Sequence, residues 1–270
     1  MIQELAKAIK NKQAILFVGS GVSKNLGLPV YSELMNQMAA NLGYDPEQFK
    51  SWGNNDFLIM AEYYYHQKGT LGSLRSWMDR LWHHKDINVG ESEIYKLIID
   101  LDFPIIYTTN FDRWLENAFD YYKKEYTKIT NVADIARIKM NKTQIIKFHG
   151  DFHDDSSLVL TESSFFQRLD FESPLDIKLR SDSLEKSIIF IGYSLSDINI
   201  RYMLYKLHRQ WKDSNFEHIR PKSYIFLVEP NPIKERLLKE RGIIPIVSHN
   251  EHPGKALTDF LRSIKNHMSN

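Results

Sequence analysis

Ala14-Ile15-Leu16-Phe17-Val18 is an unbroken apolar run that stops at Gly19-Ser20-Gly21-Val22-Ser23. Five apolar residues ended by glycine have the length of a strand buried on both faces, and the glycines mark a turn where something approaches the backbone closely. Ahead of the run, Ile2, Leu5, Ala6 and Ile9 recur at helical spacing, so the chain opens as helix, strand, turn. Short β-rich runs of the same kind follow at residues 105–108, 145–148, 188–192, 224–228 and 243–247. Strands buried on both faces belong to parallel sheets. Helical patterns at 113–122, 173–186 and 199–211 lie between them. This alternation predicts an α/β protein, a Rossmann-like doubly wound, mostly parallel sheet with helices on both sides.

The interval 31–102 departs from the alternation because its apolar residues keep helical spacing throughout: Leu34, Met35, Met38 and Leu42, then Leu71, Leu74, Trp77, Met78 and Leu81, then Ile94, Leu97, Ile98 and Leu101. We expect a single domain over 1–270 with a helical insertion at about 31–102, punctuated by Gly43, Asp45-Pro46 and Gly53-Asn54-Asn55. With 35 basic and 34 acidic residues the formal charge is +1, so no global field draws the chain to nucleic acid or to an anionic membrane. The absence of cysteine excludes disulfides, a thiol nucleophile and thiolate metal sites. Short apolar runs and the lack of a signal-peptide pattern lead us to expect a soluble, cytoplasmic protein.

A glycine turn between a first strand and a helix is one way an α/β sheet receives phosphate, with amides at the helix start aimed at the anion. Gly19, Ser20 and Gly21 suit that role, although such turns also serve purely conformational ends. The spacing is not that of G-x-G-x-x-G, since Lys24 stands at the third position and the next glycine is Gly27. Further along come Thr108-Thr109-Asn110-Phe111-Asp112, His149-Gly150 and Gly192-Tyr193-Ser194-Leu195-Ser196-Asp197.

In that order these motifs resemble those of the sirtuin (silent information regulator) family, which binds NAD in a Rossmann-like domain. The resemblance implies NAD-binding roles for Gly19, Ser20, Gly21, Ser23, Thr108, Gly192, Ser194 and Asp197, and catalytic roles for Asn110, His149 and Asp112. Two departures narrow it. The family's four-cysteine zinc module is absent, and the arginine that usually follows the phosphate-loop proline is replaced within Pro29-Val30-Tyr31-Ser32. The chain therefore resembles the zinc-less branch found in bacterial antiviral defence, including Thoeris-type effectors. That branch implies an NAD hydrolase releasing nicotinamide and ADP-ribose, or cyclic ADP-ribose, to deplete NAD and abort infection. It also implies NAD as substrate with no metal or further cofactor, and control either by self-assembly into a homo-oligomer or by a separately encoded partner such as a DNA-translocating ATPase. Two other readings stay open: a non-catalytic sensor subunit that binds NAD or ADP-ribose, and an NAD-dependent deacylase or ADP-ribosyltransferase.

The side chains suit the chemistry. Breaking the nicotinamide–ribose bond develops positive charge on the sugar, so the site must hold the ribose and aim a water. The amide of Asn110 offers a donor and an acceptor without titrating. His149, at the end of the run 145–148, is placed at a strand's carboxyl edge, where it can take a proton near neutral pH. Asp112 either orients Asn110 or the ribose, or caps the next helix. Glu229, at the end of the run 224–228, is expected at the adenosine ribose, where a carboxylate would favour NAD over NADP. His149, Asp151, His153, Asp154 and Asp155 are dense enough to suggest a metal, but Asp154-Asp155-Ser156-Ser157 has the composition of an exposed loop. His83-His84 reads as helix-end surface, and Tyr63-Tyr64-Tyr65 as half-buried packing.

Overall fold

The computed structural model describes residues 1–28, 31–139, 141–195, 197–248, 250 and 252–269, with only the backbone of Tyr31. Pro29, Val30 and Ser196, which fall in the motifs above, lie outside the described residues. Helix α1 (Ile2–Lys10) leads into β1 (Ala14–Val18), which is followed by the single turn α2 (Ser20–Lys24). Four helices come next: α3 (Tyr31–Leu42), α4 (Pro46–Trp52), α5 (Phe57–Lys68) and α6 (Gly72–Trp82). Their boundaries follow local chemistry. Asp45 accepts from the Gln48 amide with Pro46 in the first turn of α4, and Asp56 accepts from the amides of Leu58 and Ile59 to start α5. Helix α7 (Glu93–Leu101) then returns to the sheet at β2 (Ile105–Thr108).

The second half alternates: α8 (Trp114–Tyr121), β3 (Tyr126–Ile129), α9 (Val132–Ala136), β4 (Thr143–Lys147), α10 (Glu162–Gln167), α11 (Pro174–Glu185), β5 (Ser187–Ile191), α12 (Ile198–Lys212), β6 (Ser223–Leu227), α13 (Pro232–Glu240), β7 (Ile243–Val247) and α14 (Pro253–Ser269). The seven strands form one sheet in the order β3-β4-β2-β1-β5-β6-β7, and every pairing is parallel. The expected α/β architecture is therefore present, with β3 added at an edge.

Strand periodicity divides the core. Ala14, Leu16 and Val18 face the layer that holds α1, α7 and α14, whereas Ile15 and Phe17 face the layer of α11 and α12. A third apolar cluster, around Leu34, Met38, Tyr64, Leu74 and Met78, belongs to α3, α5 and α6 and reaches the sheet edge through Phe111, Phe152 and Leu160. The helical stretch read as one insertion thus serves two purposes. Helices α3 to α6 make their own core, while α7 buries Ile94, Leu97, Ile98 and Leu101 in the main core, as a crossover helix does. Each fully buried aliphatic or aromatic side chain contributes roughly 1.5–3 kcal/mol to this packing.

Register sets the functional edge. Val18 pairs with Thr108 on one side and with Ile191 on the other, and Thr108 pairs with Lys147. The carboxyl ends of four strands therefore stand level. Connections from β1 leave toward β2, and the chain crosses back to β5 on the other flank, so the switch point of the sheet lies between β1 and β5.

Candidate active site

Three loops meet over that edge, and the glycines explain how closely two of them approach. A Cβ on Gly19 would lie 2.4 Å from the Gly192 carbonyl oxygen, and one on Gly21 would lie 2.8 Å from it. The Gly19 amide donates to Ile191 O at 3.0 Å, and the Gly21 amide donates to Gly192 O at 2.8 Å. What comes close to the first glycine turn is thus the second glycine loop. Two amides that the sequence offers to a phosphate are already committed to that contact, so the glycines build the floor of the site. Gly192 itself adopts φ +58, and a Cβ there would lie 2.5 Å from Val22 N.

Asn110 is held by a chain of hydrogen bonds. Its backbone amide donates to Thr108 Oγ1 at 3.0 Å, and the Thr108 hydroxyl in turn donates to Val18 O at 2.9 Å. Its side-chain Nδ2 donates to Ser23 Oγ at 3.1 Å, and Ser23 Oγ lies 3.3 Å from the Tyr95 hydroxyl. Tyr95 sits on α7, and its phenol is pushed well above the usual range by burial and by the nearby Asp112 charge, so it stays protonated. Asp112 accepts from the Trp114 amide at 3.1 Å, in the manner of a cap for α8. Its carbonyl accepts from the ammonium of Lys147, a fully buried side chain on β4. Lys147 Nζ lies 3.5 Å from Glu116 Oε1 on α8, and neither Glu116 oxygen has a hydrogen-bond partner. A buried ion pair therefore sits beneath the turn that carries Asn110.

His149 follows β4 and is placed differently. Its Nε2 lies 3.1 Å from Asp197 Oδ2, with the side chains 6% and 11% exposed. No hydrogen-bond partner is aligned on that nitrogen, so the contact is a close approach to the carboxylate short of a formed hydrogen bond. The ring meets Phe165 edge-on at 5.2 Å. Asp197 caps α12 by accepting from Asn199 N at 2.8 Å and Ile200 N at 3.3 Å through Oδ1, while its Oδ2 accepts from the Tyr193 hydroxyl at 3.3 Å. Burial works to raise the Asp197 carboxyl, but the His149 imidazole and the two amides outweigh it and hold it below the usual carboxylate range.

Two cavities share the wall Ser20, Thr109, Asn110 and Phe111. One, of about 140 Å³, also holds Gly21, Ser23 and Asp112 and is closed by Leu28, Leu34 and Trp82. The other, of about 320 Å³, contains His149, Gly192, Ser194 and Asp197 and is roofed by Phe57 and Leu58 of α5. Asn110, Asp112, Ser20, Gly21, Ser23, His149, Gly192, Ser194 and Asp197 are therefore gathered by the fold. Three expected residues stand apart from the cavity walls. Thr108 is fully buried and faces inward, and it is its neighbour Thr109 that lines the space. Gly19 lies beneath the turn, and Glu229 is exposed and lines neither cavity.

The residues around His149 that suggested a metal have separate partners. Asp151 pairs with Lys128 and His153, Asp155 with Arg75, and Asp154 caps a short 3-10 turn. Among the described residues no group of three His, Asp or Glu side chains is placed to hold a cation. His83 is more than surface. It accepts from Arg113 N through Nε2 at 2.8 Å and faces Asp79 Oδ1 through Nδ1 at 2.7 Å, which anchors the entry to α8. Of the tyrosine triplet, Tyr64 is fully buried, whereas Tyr63 and Tyr65 are exposed by 39% and 44%. No described helix is long and apolar enough to cross a membrane.

A doubly wound sheet with an asparagine turn and a histidine facing a shared cleft at its switch point defines a class, and the comparison with known families agrees: the chain belongs to the SIR2-like domain family, whose model matches residues 104–246. Among its relatives is "NAD(+) hydrolase ThsA" of Enterococcus faecium, 30% identical over 210 residues that make up 76% of this chain and 42% of that protein. The protein of the same name from Bacillus cereus is 25% identical over 80% of this chain and 44% of its own. "Defense-associated sirtuin 2" of Bacillus subtilis is 25% identical over 88% of this chain and 23% of its own. The chain thus spans less than half the length of these curated relatives. A solved structure of Sir2 enzymes aligns with 100% of this chain and 99% of its own at a TM-score of 0.48 and 12% identity, too distant to add to the assignment.

Proposed function

We propose that this chain is an NAD hydrolase of the bacterial defence type, a 270-residue domain with a helical cover, that cleaves the bond between nicotinamide and ribose. The observation that carries the reading is that Asn110 and His149, from the loops after two different strands, line one cavity at the carboxyl edge of the sheet. The name NAD(+) hydrolase, borne by the relatives from Enterococcus faecium and Bacillus cereus, supports the same chemistry, and that of the Bacillus subtilis relative supports a defence role.

In the reaction the bonding pair of the C–N bond leaves with nicotinamide, which departs neutral, and positive charge grows on the ribose. Water adds to that carbon and gives up a proton, so the products are nicotinamide, ADP-ribose and H⁺. Asn110 holds a ribose hydroxyl or the water, with its amide fixed by Ser23 and its backbone by Thr108. His149 takes the proton. Asp112 sits in the smaller cavity with Trp82 and Leu34, a space we assign to the departing nicotinamide. The low-dielectric walls strengthen each polar contact there.

The reading is tested by incubating the purified chain with NAD and resolving nicotinamide, ADP-ribose and cyclic ADP-ribose by chromatography, with and without a chelator. We expect nicotinamide and ADP-ribose in equal amounts in both samples. NAD bound but left intact would favour the sensor reading.

A further inference from the structure

Within the NAD-hydrolase reading, the geometry points to a specific task for Asp197, distinct from holding the dinucleotide: it is a positioning residue for His149. One carboxylate oxygen is committed. Oδ1 accepts the Asn199 and Ile200 amides at the start of α12, which fixes the carboxylate plane. The other oxygen, Oδ2, is left to face the cleft, where it meets His149 Nε2 at 3.1 Å and the Tyr193 hydroxyl at 3.3 Å.

The surroundings commit the pair further. The loop that delivers Asp197 passes through two left-handed residues, Gly192 at φ +58 and Leu195 at φ 53. The left-handed region is unfavourable for leucine, and here Leu195 adopts it with its side chain buried in the core of the α11 and α12 layer. A helix cap alone would not require a carboxylate over asparagine or serine, which cap as well. A carboxylate with one oxygen anchored and the other beside an imidazole is the arrangement that keeps a proton on the facing nitrogen and leaves the ring's other nitrogen as the base. When water gives its proton to that nitrogen, the imidazolium is stabilised by Asp197, which stays ionised throughout.

The charged and titratable groups around His149 are few. Asp197 and Tyr193 come from the β5–α12 loop, and α10 contributes the uncharged Phe165 ring. Arg168 donates to the carbonyl of neighbouring Phe148 at 2.8 Å, but its charge is paired with Asp176.

The test is Asp197→Asn, which preserves the cap and removes the charge, beside Asp197→Ala, which removes both. We expect Asp197→Asn to keep the melting temperature of the wild type but to lose roughly 10²–10⁴-fold in kcat, with KM changed by no more than a few-fold. An independent readout is the ¹⁵N spectrum of the His149 ring without substrate: Nε2 carries the proton in the wild type, and the tautomer preference is lost in Asp197→Asn. Wild-type kcat and an unchanged ring spectrum in Asp197→Asn, with a loss only in an unstable Asp197→Ala, would reduce Asp197 to a helix cap. Because the spectrum needs no turnover, it separates failure of the pairing from failure of the hydrolase reading, which would appear as no NAD cleavage by the wild type.

Discussion

The two walls of the cleft are built on opposite plans. The Asn110 wall is tied down from beneath: a threonine, a serine, a tyrosine from α7 and a buried lysine all hold the turn. The His149 wall sets the imidazole beside the carboxylate of Asp197, delivered by a loop that carries a left-handed leucine. A group that only aims a ligand gains from being locked. A group that must change its protonation state needs a partner able to accommodate the new charge, and a web of neutral hydrogen bonds would resist the change. The difference between the walls therefore matches the difference between orienting and proton transfer.

The contrast is open to attack from the locked side. Replacing Lys147 with Met leaves Glu116 buried without a partner, and breaking a buried pair in this way costs about 3–5 kcal/mol. Urea unfolding should register a loss of that size in Lys147→Met, and a second change, Glu116→Leu, should restore most of it. A loss below about 1 kcal/mol would mean that the turn does not depend on the ion pair. A smaller effect is expected from Tyr95→Phe, which removes only the neutral contact to Ser23. Such a bond contributes about 0.5–1.5 kcal/mol, so nicotinamide release should fall by no more than about tenfold, through kcat and with little change in stability. A loss as large as that expected for Asp197→Asn would erase the distinction between the two walls.

Much of this arrangement is legible in the chain, and the exceptions have physical causes. Of the six strands read from apolar runs, β1, β2 and β6 are buried along their whole length and β4 and β5 over most of it, which makes the runs continuous, while β7 at one edge is apolar though half-buried. β3 was invisible to that criterion because Tyr126, Thr127 and Lys128 on the edge strand are only half-buried. Helix α7 carries the same spacing as the helices before it, and periodicity does not say which core a stripe faces; only the register of β2 against β1 assigns it to the sheet. Lys147 was in plain view inside Ile145-Ile146-Lys147-Phe148, where a lysine within a doubly covered strand demands a buried partner. Thr108 and Thr109 follow the same logic of alternation: the last strand residue turns inward and the next one faces the cleft. The link between His149 and Asp197 has no local signature, since 48 positions separate two residues on the loops after β4 and β5, strands that have β2 and β1 between them in the sheet.

The central claim is that two side chains from the loops after different strands act on one bond, and it is tested most directly by nicotinamide release from NAD in the wild type, Asn110→Ala and His149→Ala, each checked by circular dichroism for an unchanged fold. We predict release by the wild type and a loss of roughly 10²–10⁴-fold in both variants. Release by either variant at the wild-type rate, or none by the folded wild type, would contradict it.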